Sequence, residues 1–342
     1  MDQRNRLVGN QSQLCMVRRV TFRDDVSEGV RAVELLNESG LYITCIEDQC
    51  LNIYDFSYKG VNCAFHSKNG LVSNRFFNGG ANEFNYYWPA GMLYTCGLTN
   101  TGVGVKEATL YHAEHGRIGM LPAKNVNVVQ TNEAVLISGD VFDQILCGHQ
   151  LRLHRTITIP KQGKEISIRD EITNMEGIST EMMLLYHCNF GYPLLTPVSR
   201  VVCSVSIETN AINDKQAAGS YEKMQVPRDD KEEVVICHSD IQGINDYGFA
   251  AIVNDELELG CYLKYKLDTL PFLIQWNNMC AHDYVVGLEP ANSHSRGRRE
   301  EREAGTICVM QPYETKTYEV TIGILDGADE ICQFEKKCRQ LY

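Results

Sequence analysis

The sequence predicts an all-β fold, a large antiparallel β-sandwich with few short helices. Apolar and polar residues alternate with period two along most of the chain, and turns rich in Gly, Asn and Asp separate the alternating segments. Helical periodicity is scarce. This combination is typical of antiparallel sandwiches and disfavours strand–helix–strand units. We expect more than about fifteen strands, since the alternation continues throughout the chain.

The clearest strands lie between residues 124 and 174. One segment has an apolar side formed by Leu151, Leu153, Ile157 and Ile159 and a polar side formed by Arg152, His154, Thr156 and Thr158. Ile166, Ile168 and Ile172 repeat the pattern, and Val126 and Val128 are expected to pair with Val135 and Ile137 in a hairpin. Further strands are predicted at LYITCIED, LNIYDFSYKG, EMMLLYHCNF, RVVCSVSIET, EVVICHSD, GFAAIVND, LGCYLKYK, TICVMQ and KTYEVTIGIL.

Helices are expected in few places. The C-terminal ADEICQFEKKCRQL puts Ile331, Phe334, Cys338 and Leu341 on one face. The alternation stops over residues 73–84, which predicts a short helix or an irregular segment. Residues 296–303 mix both charges and are interpreted as a solvated loop or short helix. Because no linker, repeat or low-complexity tract interrupts the chain, we expect one domain over residues 1–342.

Composition narrows the functional classes. Of the 342 residues 44% are hydrophobic and 22% are charged, and the net charge is −12. This acidic balance disfavours nucleic-acid and membrane partners, which require a basic surface. No apolar run suggests a signal peptide or a membrane span. The fourteen cysteines lie mostly in apolar runs without a CxxC pair, so we expect reduced, mostly buried thiols and a cytoplasmic location.

Two segments carry polar groups that strand packing alone does not require. In residues 111–119, glycines flank His115 and Arg117 and allow a sharp turn that presents both side chains. A polar surface turn is the alternative. In residues 184–193, His187 lies in an apolar strand, within a polar and aromatic group of Tyr186, Asn189 and Tyr192 that suits a carbohydrate. The alternative is a histidine with a structural role in the core.

A third segment contains Gln275, Trp276 and Glu289. Trp276 lies among amide side chains, and such a ring could stack on a sugar while the amides bind its hydroxyls. A tryptophan that caps the core explains the ring equally well. Glu289 ends an apolar strand before Pro290, and a buried carboxylate is costly unless it is paired or functional.

Other chemistries lack a signal in the sequence. There is no HExxH motif or CxxC pair for a metal, no GxSxG nucleophile motif, and no GxGxxG or GxxxxGK[ST] motif for a nucleotide. We therefore expect no metal and no cofactor. Cys188 follows His187 directly, so on a strand the two side chains point to opposite faces and do not form a nucleophile–base pair.

Read in order, HGRIG, LLYHCNFGYPLL and VVGLEPAN resemble the aldose 1-epimerase (galactose mutarotase-like) superfamily, in a divergent branch of epimerase-like proteins of unknown function. TCGLTNTG, the RTITIP to IRDEITN stretch, LPFLIQWNN and TIGILDG fit the same branch, so the resemblance covers residues 45–327. It implies the family's large β-sandwich and a cofactor-independent isomerase that opens and recloses a sugar ring.

The resemblance also implies roles for residues. Glu289 would be the base at the C1 hydroxyl, His187 the acid at the ring oxygen, and His115 would assist by binding ring hydroxyls. The expected substrate-binding residues are Arg75, Arg117, Tyr186, Asn189, Gln275 and Trp276. Many relatives carry an Asp-Arg-Gly-x-Asp-like stretch where this chain has residues 48–52, with Gln49 and Asn52 in place of Arg and Asp. This departure bears on the identity of the substrate.

The expected partner is a small-molecule sugar, and a homodimer is left open. A non-catalytic sugar-binding or regulatory protein on the same fold is the alternative function, and a lyase or another isomerase is a third. An acid and a base placed together favour the enzyme, because binding alone does not need them.

Overall fold

The structure, a computed structural model, describes residues 6–80, 83–204, 209–211, 222–230, 232–238 and 241–339. Strands make up 49% of it and helices 12%. All the strand pairs within its sheets are antiparallel, and the described residues contain 22 strands. The predicted all-β class and the predicted number of strands are both confirmed.

The strands form two large sheets and two smaller ones. The five-stranded sheet has the order β1 (Met16–Thr21), β2 (Arg31–Leu36), β3 (Leu41–Ile46), β4 (Asn52–Tyr58) and β5 (Val61–Asn62). The eight-stranded sheet has the order β14 (Arg200–Cys203), β17 (Tyr247–Asn254), β18 (Leu259–Lys266), β22 (Thr315–Asp326), β12 (Glu165–Asn174), β11 (Gln150–Pro160), β10 (Ala134–Gln144) and β9 (Lys124–Gln130).

The seven-stranded sheet carries the site described below. Its strands are β15 (Thr209–Ala211), β16 (Glu233–His238), β19 (Phe272–Asn278), β20 (Val285–Ala291), β13 (Thr180–Phe190) and β21 (Cys308–Met310), and β6 (Tyr94–Leu98) also pairs with β13. β7 (Val105–Glu107) and β8 (Leu110–His112) form a separate hairpin. The helices are α1 (Glu83–Tyr87), α2 (Arg298–Ala304) and α3 (Ala328–Arg339).

The main core lies between the large sheets. Inward-facing residues of the eight-stranded sheet, such as Ile157 and Val320, belong to the same buried cluster as Leu184, Tyr186 and Leu288 of the seven-stranded sheet. Leu185 and Ile274 belong to a second cluster on the opposite face of the seven-stranded sheet, together with Phe84 and Tyr94. This sheet is therefore covered on both faces, and its second face can hold a cavity.

The predicted alternation places the strands well. β11 has buried residues at every second position, and β9 pairs with β10 in the predicted hairpin, with Val128 opposite Ile137. The register differs from the prediction in one respect, because Val135 lies opposite Gln130 and not opposite a valine. The predicted RVVCSVSIET and EVVICHSD strands include β14 and β16, while residues 205–208 and 239–240 lie outside the described residues.

The helix predictions agree in part. α3 buries Ile331, Phe334 and Cys338 as expected, and Leu341 lies outside the described residues. Residues 73–84 include a 3₁₀ turn at Asn74–Phe76 and the start of α1. None of the described helices is long and apolar enough to cross a membrane.

The charged segment 296–303 is not simply a solvated surface. It contributes most of α2, where Arg298 and Glu301 are buried. Arg298 Nη2 donates to Glu181 Oε2 at 2.6 Å and its Nε to Glu107 Oε2 at 3.0 Å. Arg302 also binds both of those carboxylates. The arginines therefore pair with carboxylates on β7 and β13 and attach α2 to the sheet. The predicted short helix is present, but the prediction that the segment is solvated is wrong for this face of the helix.

All fourteen cysteines are free thiols, and ten of them are buried. Burial raises the pKa of several thiols, for example that of Cys50 to about 11 and that of Cys237 to about 12. Such thiols stay protonated at neutral pH and behave as small apolar side chains.

Candidate active site

Three neighbouring strands place His187, Glu289 and Trp276 on one face of the seven-stranded sheet. The register pairs Cys188 of β13 with Leu288 of β20, which sets His187 beside Glu289. Trp276 of β19 lies opposite Gly287 of β20. Since side chains alternate across a strand, all three side chains project from the face that points away from the main core. β20 runs on through Pro290 to Ala291, so Glu289 lies inside the strand rather than at its end.

His115 reaches the same place from a loop. It has a positive φ of 55°, and Gly116 follows it with a φ of 71°. A Cβ on Gly116 would overlap the carbonyl oxygen of Gly97, so only glycine fits there. The His115 carbonyl accepts a hydrogen bond from the Gly97 N–H at 2.9 Å, and its own N–H donates to the Gly102 carbonyl at 3.0 Å. These contacts fix the backbone that carries the imidazole.

The three predicted catalytic side chains converge on one cavity of about 290 Å³. This is near the lower end of the range of roughly 300–1,000 Å³ that is usual for small-molecule sites. The cavity is lined by Phe84, Asn85, Trp88, Gly102, Val103, Glu114, His115, His187, Glu233, Val235, Ile274, Trp276, Glu289 and Ser295. His115 and His187 approach edge to face, with ring centroids 5.7 Å apart.

His187 and Glu289 form a close pair at the base of the cavity. His187 Nε2 lies 3.2 Å from Glu289 Oε1, and both side chains are almost fully buried. This Oε1 and His187 Nδ1 have no hydrogen-bond partner of good geometry among the described residues. Unsatisfied buried polar atoms are costly and are concentrated at functional sites. A base and an acid acting from opposite sides of the sugar's C1 and ring oxygen would be separated by a gap, but Glu289 and His187 lie side by side.

Burial disfavours the charged form of both groups. It raises the pKa of Glu289 well above its usual range, and the nearby Glu233 adds to the shift. Burial lowers the pKa of His187 well below its usual value, His115 lowers it further, and Asn189 opposes the shift. The pKa of His115 falls to about 4, also through burial. Burial therefore favours the protonated form of the carboxyl and the neutral form of both imidazoles.

The absence of a side chain at Gly287 leaves room for the pair. A Cβ at this position would overlap Glu289 Oε1 and would lie 3.3 Å from His187 Cε1. The strand alternation that places Gly287 on the same face as Glu289 makes the clash unavoidable. Any larger residue would displace the carboxyl from its position beside the imidazole.

Of the six predicted substrate-binding residues, Trp276 alone lines the cavity. Tyr186 is fully buried in the main core, where its hydroxyl donates to Asp170 Oδ2 at 2.7 Å. Gln275 points away from the cavity and contacts His238 Nε2 at 3.1 Å. Both neighbour a cavity residue in sequence, so strand alternation sends them to the opposite face. Their predicted placement in the cavity is wrong.

The predicted arginines also lie elsewhere. Arg117 Nη2 is 3.6 Å from Asp143 Oδ1, beside a separate cavity of about 60 Å³. Arg75 is exposed and packs against Gly29. Asn189 is buried below His187, and its Nδ2 donates to the carbonyl oxygens of Gly91 and His187 at 2.9 and 3.0 Å. It can position the imidazole but does not line the cavity.

The departures from the family pattern have structural roles in this chain. Gln49 is buried and its Nε2 donates to the Val72 carbonyl. Asn52 Oδ1 accepts from the backbone N–H and the hydroxyl of Thr95, and its Nδ2 donates to the Gly119 carbonyl at 3.0 Å. Both amides make structural hydrogen bonds without lining the cavity.

Several cavity residues were not predicted. Trp88 contacts His187 with ring centroids 5.1 Å apart, and its indole lies 5.7 Å from that of Trp276. Glu114 precedes His115 in the loop, and Glu233 accepts a hydrogen bond of 2.8 Å from Trp276 Nε1. Among the described residues, no group of three His, Cys, Asp or Glu side chains is arranged to hold a metal ion.

Trp276 offers a test of sugar stacking. Replacing it by alanine should weaken sugar binding by about 1–3 kcal/mol, because the apolar face that a pyranose would cover is removed. Trp276→Phe keeps an aromatic face and loses only the hydrogen bond to Glu233, so it should retain most of the affinity. Titration calorimetry measures both. If Trp276→Ala and the wild type bind the sugar with equal affinity, the ring has a purely structural role.

Comparison with solved structures identifies the fold. The chain is similar to a protein from Klebsiella pneumoniae assigned provisionally as an aldose 1-epimerase, with a TM-score of 0.90 and 22% identity over 95% of this chain and 87% of that one. It is also similar to a galactose mutarotase-like protein from Clostridium acetobutylicum, with a TM-score of 0.67 and 15% identity over 92% and 99% of the two chains.

A third similar structure is the galactose 1-epimerase of Lactobacillus acidophilus, with a TM-score of 0.60 and 12% identity over 91% of this chain and 99% of that one. At these identities the likeness concerns the fold, which is the predicted galactose mutarotase-like sandwich. No curated protein sequence matches the chain. Residues 27–324 match the model of a family described as a domain of unknown function, DUF4432. The chain belongs to this family.

Proposed function

We propose that this protein is a cofactor-independent isomerase of the aldose 1-epimerase type, acting on a small sugar in the cytosol. The observation that carries the proposal is the contact of 3.2 Å between His187 Nε2 and Glu289 Oε1 at the base of a cavity with aromatic walls. In an aldose ring the C1 hydroxyl oxygen and the ring oxygen are bonded to the same carbon. An acid and a base that lie side by side can therefore serve these two oxygens at the same time.

Ring opening moves one proton from the sugar to Glu289 and one proton from His187 to the sugar. The Glu289 carboxylate takes the proton of the C1 hydroxyl, the bond between C1 and the ring oxygen breaks, and the His187 imidazolium protonates the ring oxygen. The product is the open-chain aldehyde with a free hydroxyl. Rotation about the C1–C2 bond and the reverse of these steps close the ring as the other anomer.

The protonation states that burial favours fit this cycle. The neutral pair, with a protonated Glu289 and a neutral His187, differs from the reactive ion pair by one proton moved across their contact. Burial favours the neutral pair. The hydroxyls of a bound sugar supply hydrogen bonds that favour the ion pair, and Glu289 Oε1 has such a bond to accept. After ring opening the pair is again neutral, so no charge remains in the buried site.

His115 is placed to bind the sugar rather than to exchange protons. Its pKa of about 4 keeps it neutral at physiological pH. The Gly102 N–H points at His115 Nδ1 at 3.5 Å, which favours the tautomer with its proton on Nε2. A neutral imidazole of this kind donates to a sugar hydroxyl.

The direct test is anomer exchange at C1, followed by exchange NMR over a panel of aldoses. His187→Gln should reduce kcat by roughly 10²–10⁴-fold, since it removes the general acid. His238→Gln is a matched control, because His238 is a buried histidine of the same sheet with a pKa lowered to about 4 that does not line the cavity. We expect this control to stay within a few-fold of the wild type, by comparison with the effect of a lost general acid.

Binding of sugars without any exchange above the spontaneous rate would contradict the enzyme and support the non-catalytic sugar-binding alternative. Equal losses of rate in the two histidine variants would contradict the role of His187.

A further inference from the structure

The cavity is lined by acidic side chains without a lysine or arginine among the described residues. The acidic residues are Glu114, Glu233 and Glu289. Its two histidines are neutral at physiological pH, since burial lowers the pKa of each. A phosphate or carboxylate group on a sugar would therefore meet carboxyl groups without a cation to bind it.

Glu114 is the carboxyl group best placed to contact a substituent of the sugar. It precedes His115 on the loop, whereas His187 and Glu289 belong to strands of the seven-stranded sheet. Its described polar contact is with Asn85 Nδ2, at the long distance of 3.5 Å. Burial, followed by the charge of Glu233, raises the pKa of Glu114. A cation beside it would offset both effects, because it favours the ionised carboxylate.

The aromatic side chains that line the cavity also favour a cation. Phe84 and Trp88 stack at 5.4 Å, and Phe84 approaches His115 at 4.9 Å, on the loop that carries Glu114. Trp276 closes the opposite side at 5.7 Å from Trp88. The face of an aromatic ring carries partial negative charge and attracts ammonium groups within about 6 Å. Rings and carboxylates together form a site for a cation.

We propose that the preferred substrate is an aldose that bears a protonated amino group, bound by Glu114 and the neighbouring aromatic rings, and that aldoses with phosphate or carboxylate groups are rejected. This inference rests on the proposed ring-opening function and specifies its substrate class. The protonated amine replaces water beside a partly buried carboxylate, where a charge pair is stronger than at an exposed surface. It leaves the C1 end of the sugar free for His187 and Glu289.

The experiment compares kcat/KM for anomer exchange among 2-amino-2-deoxyhexoses, their parent hexoses, hexose 6-phosphates and hexuronates. Exchange NMR is run at a pH at which the amine is protonated. The kcat/KM of the amino sugar should exceed that of its parent by about 10-fold, which is the effect of one favourable partly buried charge pair. The kcat/KM of the anionic sugars should be about 10-fold or more below that of the parent. Glu114→Gln should bring the ratio of amino sugar to parent close to one.

Glu133→Gln is the matched control, because it removes the same charge at an exposed turn between β9 and β10. The ratio should not change in this variant. A ratio that falls equally in both variants would overturn the role of Glu114.

The two proposals fail in different ways. Exchange of parent hexoses without any preference for the amino sugar, or with a preference for the phosphate, overturns the charge selection and leaves the isomerase intact. If no aldose is exchanged above the spontaneous rate, the isomerase proposal fails. In that case calorimetry tests the charge selection, and the ratios of the affinities for the same sugars replace the ratios of kcat/KM.

Discussion

Replacing Glu289 by Gln is expected to reduce anomer exchange by roughly 10²–10⁴-fold while leaving sugar affinity nearly unchanged. Glutamine keeps the size and the hydrogen-bonding oxygen of the side chain but cannot accept the C1 hydroxyl proton. Exchange NMR gives the rate, and calorimetry gives the affinity. A variant that retains more than a tenth of the wild-type rate would show that another group is the base.

The same substitution should stabilise the folded protein. The pKa of Glu289 is raised on folding, so between its unfolded and folded pKa values the folded protein binds more protons, and stability falls as the pH rises through this window. Glutamine does not titrate. Glu289→Gln should therefore have a larger free energy of unfolding than the wild type, by a difference that is small at pH 4 and grows towards neutral pH. Urea unfolding at several pH values measures this difference.

Glu301 provides a control, because its pKa shift has the opposite sign. It is as buried as Glu289, and burial acts to raise its pKa. Hydrogen bonds from His294, Thr306 and the backbone outweigh burial and lower the pKa to about 2. Its carboxylate stabilises the fold above the unfolded pKa, and this contribution is lost as the pH falls. Glu301→Gln should therefore be destabilising at pH 7. Destabilisation of both variants at neutral pH would contradict the assignment of Glu289 as a strained, functional carboxyl.

Strand alternation explains what the sequence could predict and where the prediction failed. It identifies the sheets because burial of one face of a strand repeats at every second residue. The same rule excludes Cys188 from the site, and it excludes Tyr186 and Gln275 as well. Their polar character next to His187 and Trp276 suggests a place in the cavity, but their position on the strand decides against it.

The remaining cavity residues leave no periodic signal. Glu114 belongs to a loop whose direction depends on the positive φ angles of His115 and Gly116 and on the contact with Gly97. Trp88 follows the short helix α1, where the alternation stops. Their positions depend on contacts between segments far apart in the sequence, and these contacts exist only in the folded chain.

Arg155 shows the limit of the apolar pattern. It occupies an inward position of β11, between Leu153 and Ile157, and is fully buried in the core. Its Nε and Nη2 donate to the two carboxylate oxygens of Asp170 at 2.9 and 2.6 Å, and Nη1 donates to the Cys50 carbonyl at 3.0 Å. Asp170 lies directly opposite on β12 and also accepts the hydrogen bond of Tyr186. The network links the eight-stranded sheet to the strand that carries His187.

Removing one partner of this pair should be among the most destabilising changes in the protein. Arg155→Met leaves the Asp170 carboxylate buried without its cation, which should lower the free energy of unfolding by about 3–5 kcal/mol. The double variant Arg155→Met, Asp170→Leu removes both charges and should lose much less than the sum of the single changes. Tyr186→Phe removes one donor and should cost about 1–3 kcal/mol. Urea unfolding measures all four variants, including Asp170→Leu alone. Additive losses in the double variant would show that the two charges do not stabilise one another, and that the hydrogen bonds to Cys50 and Tyr186 hold the sheets together instead.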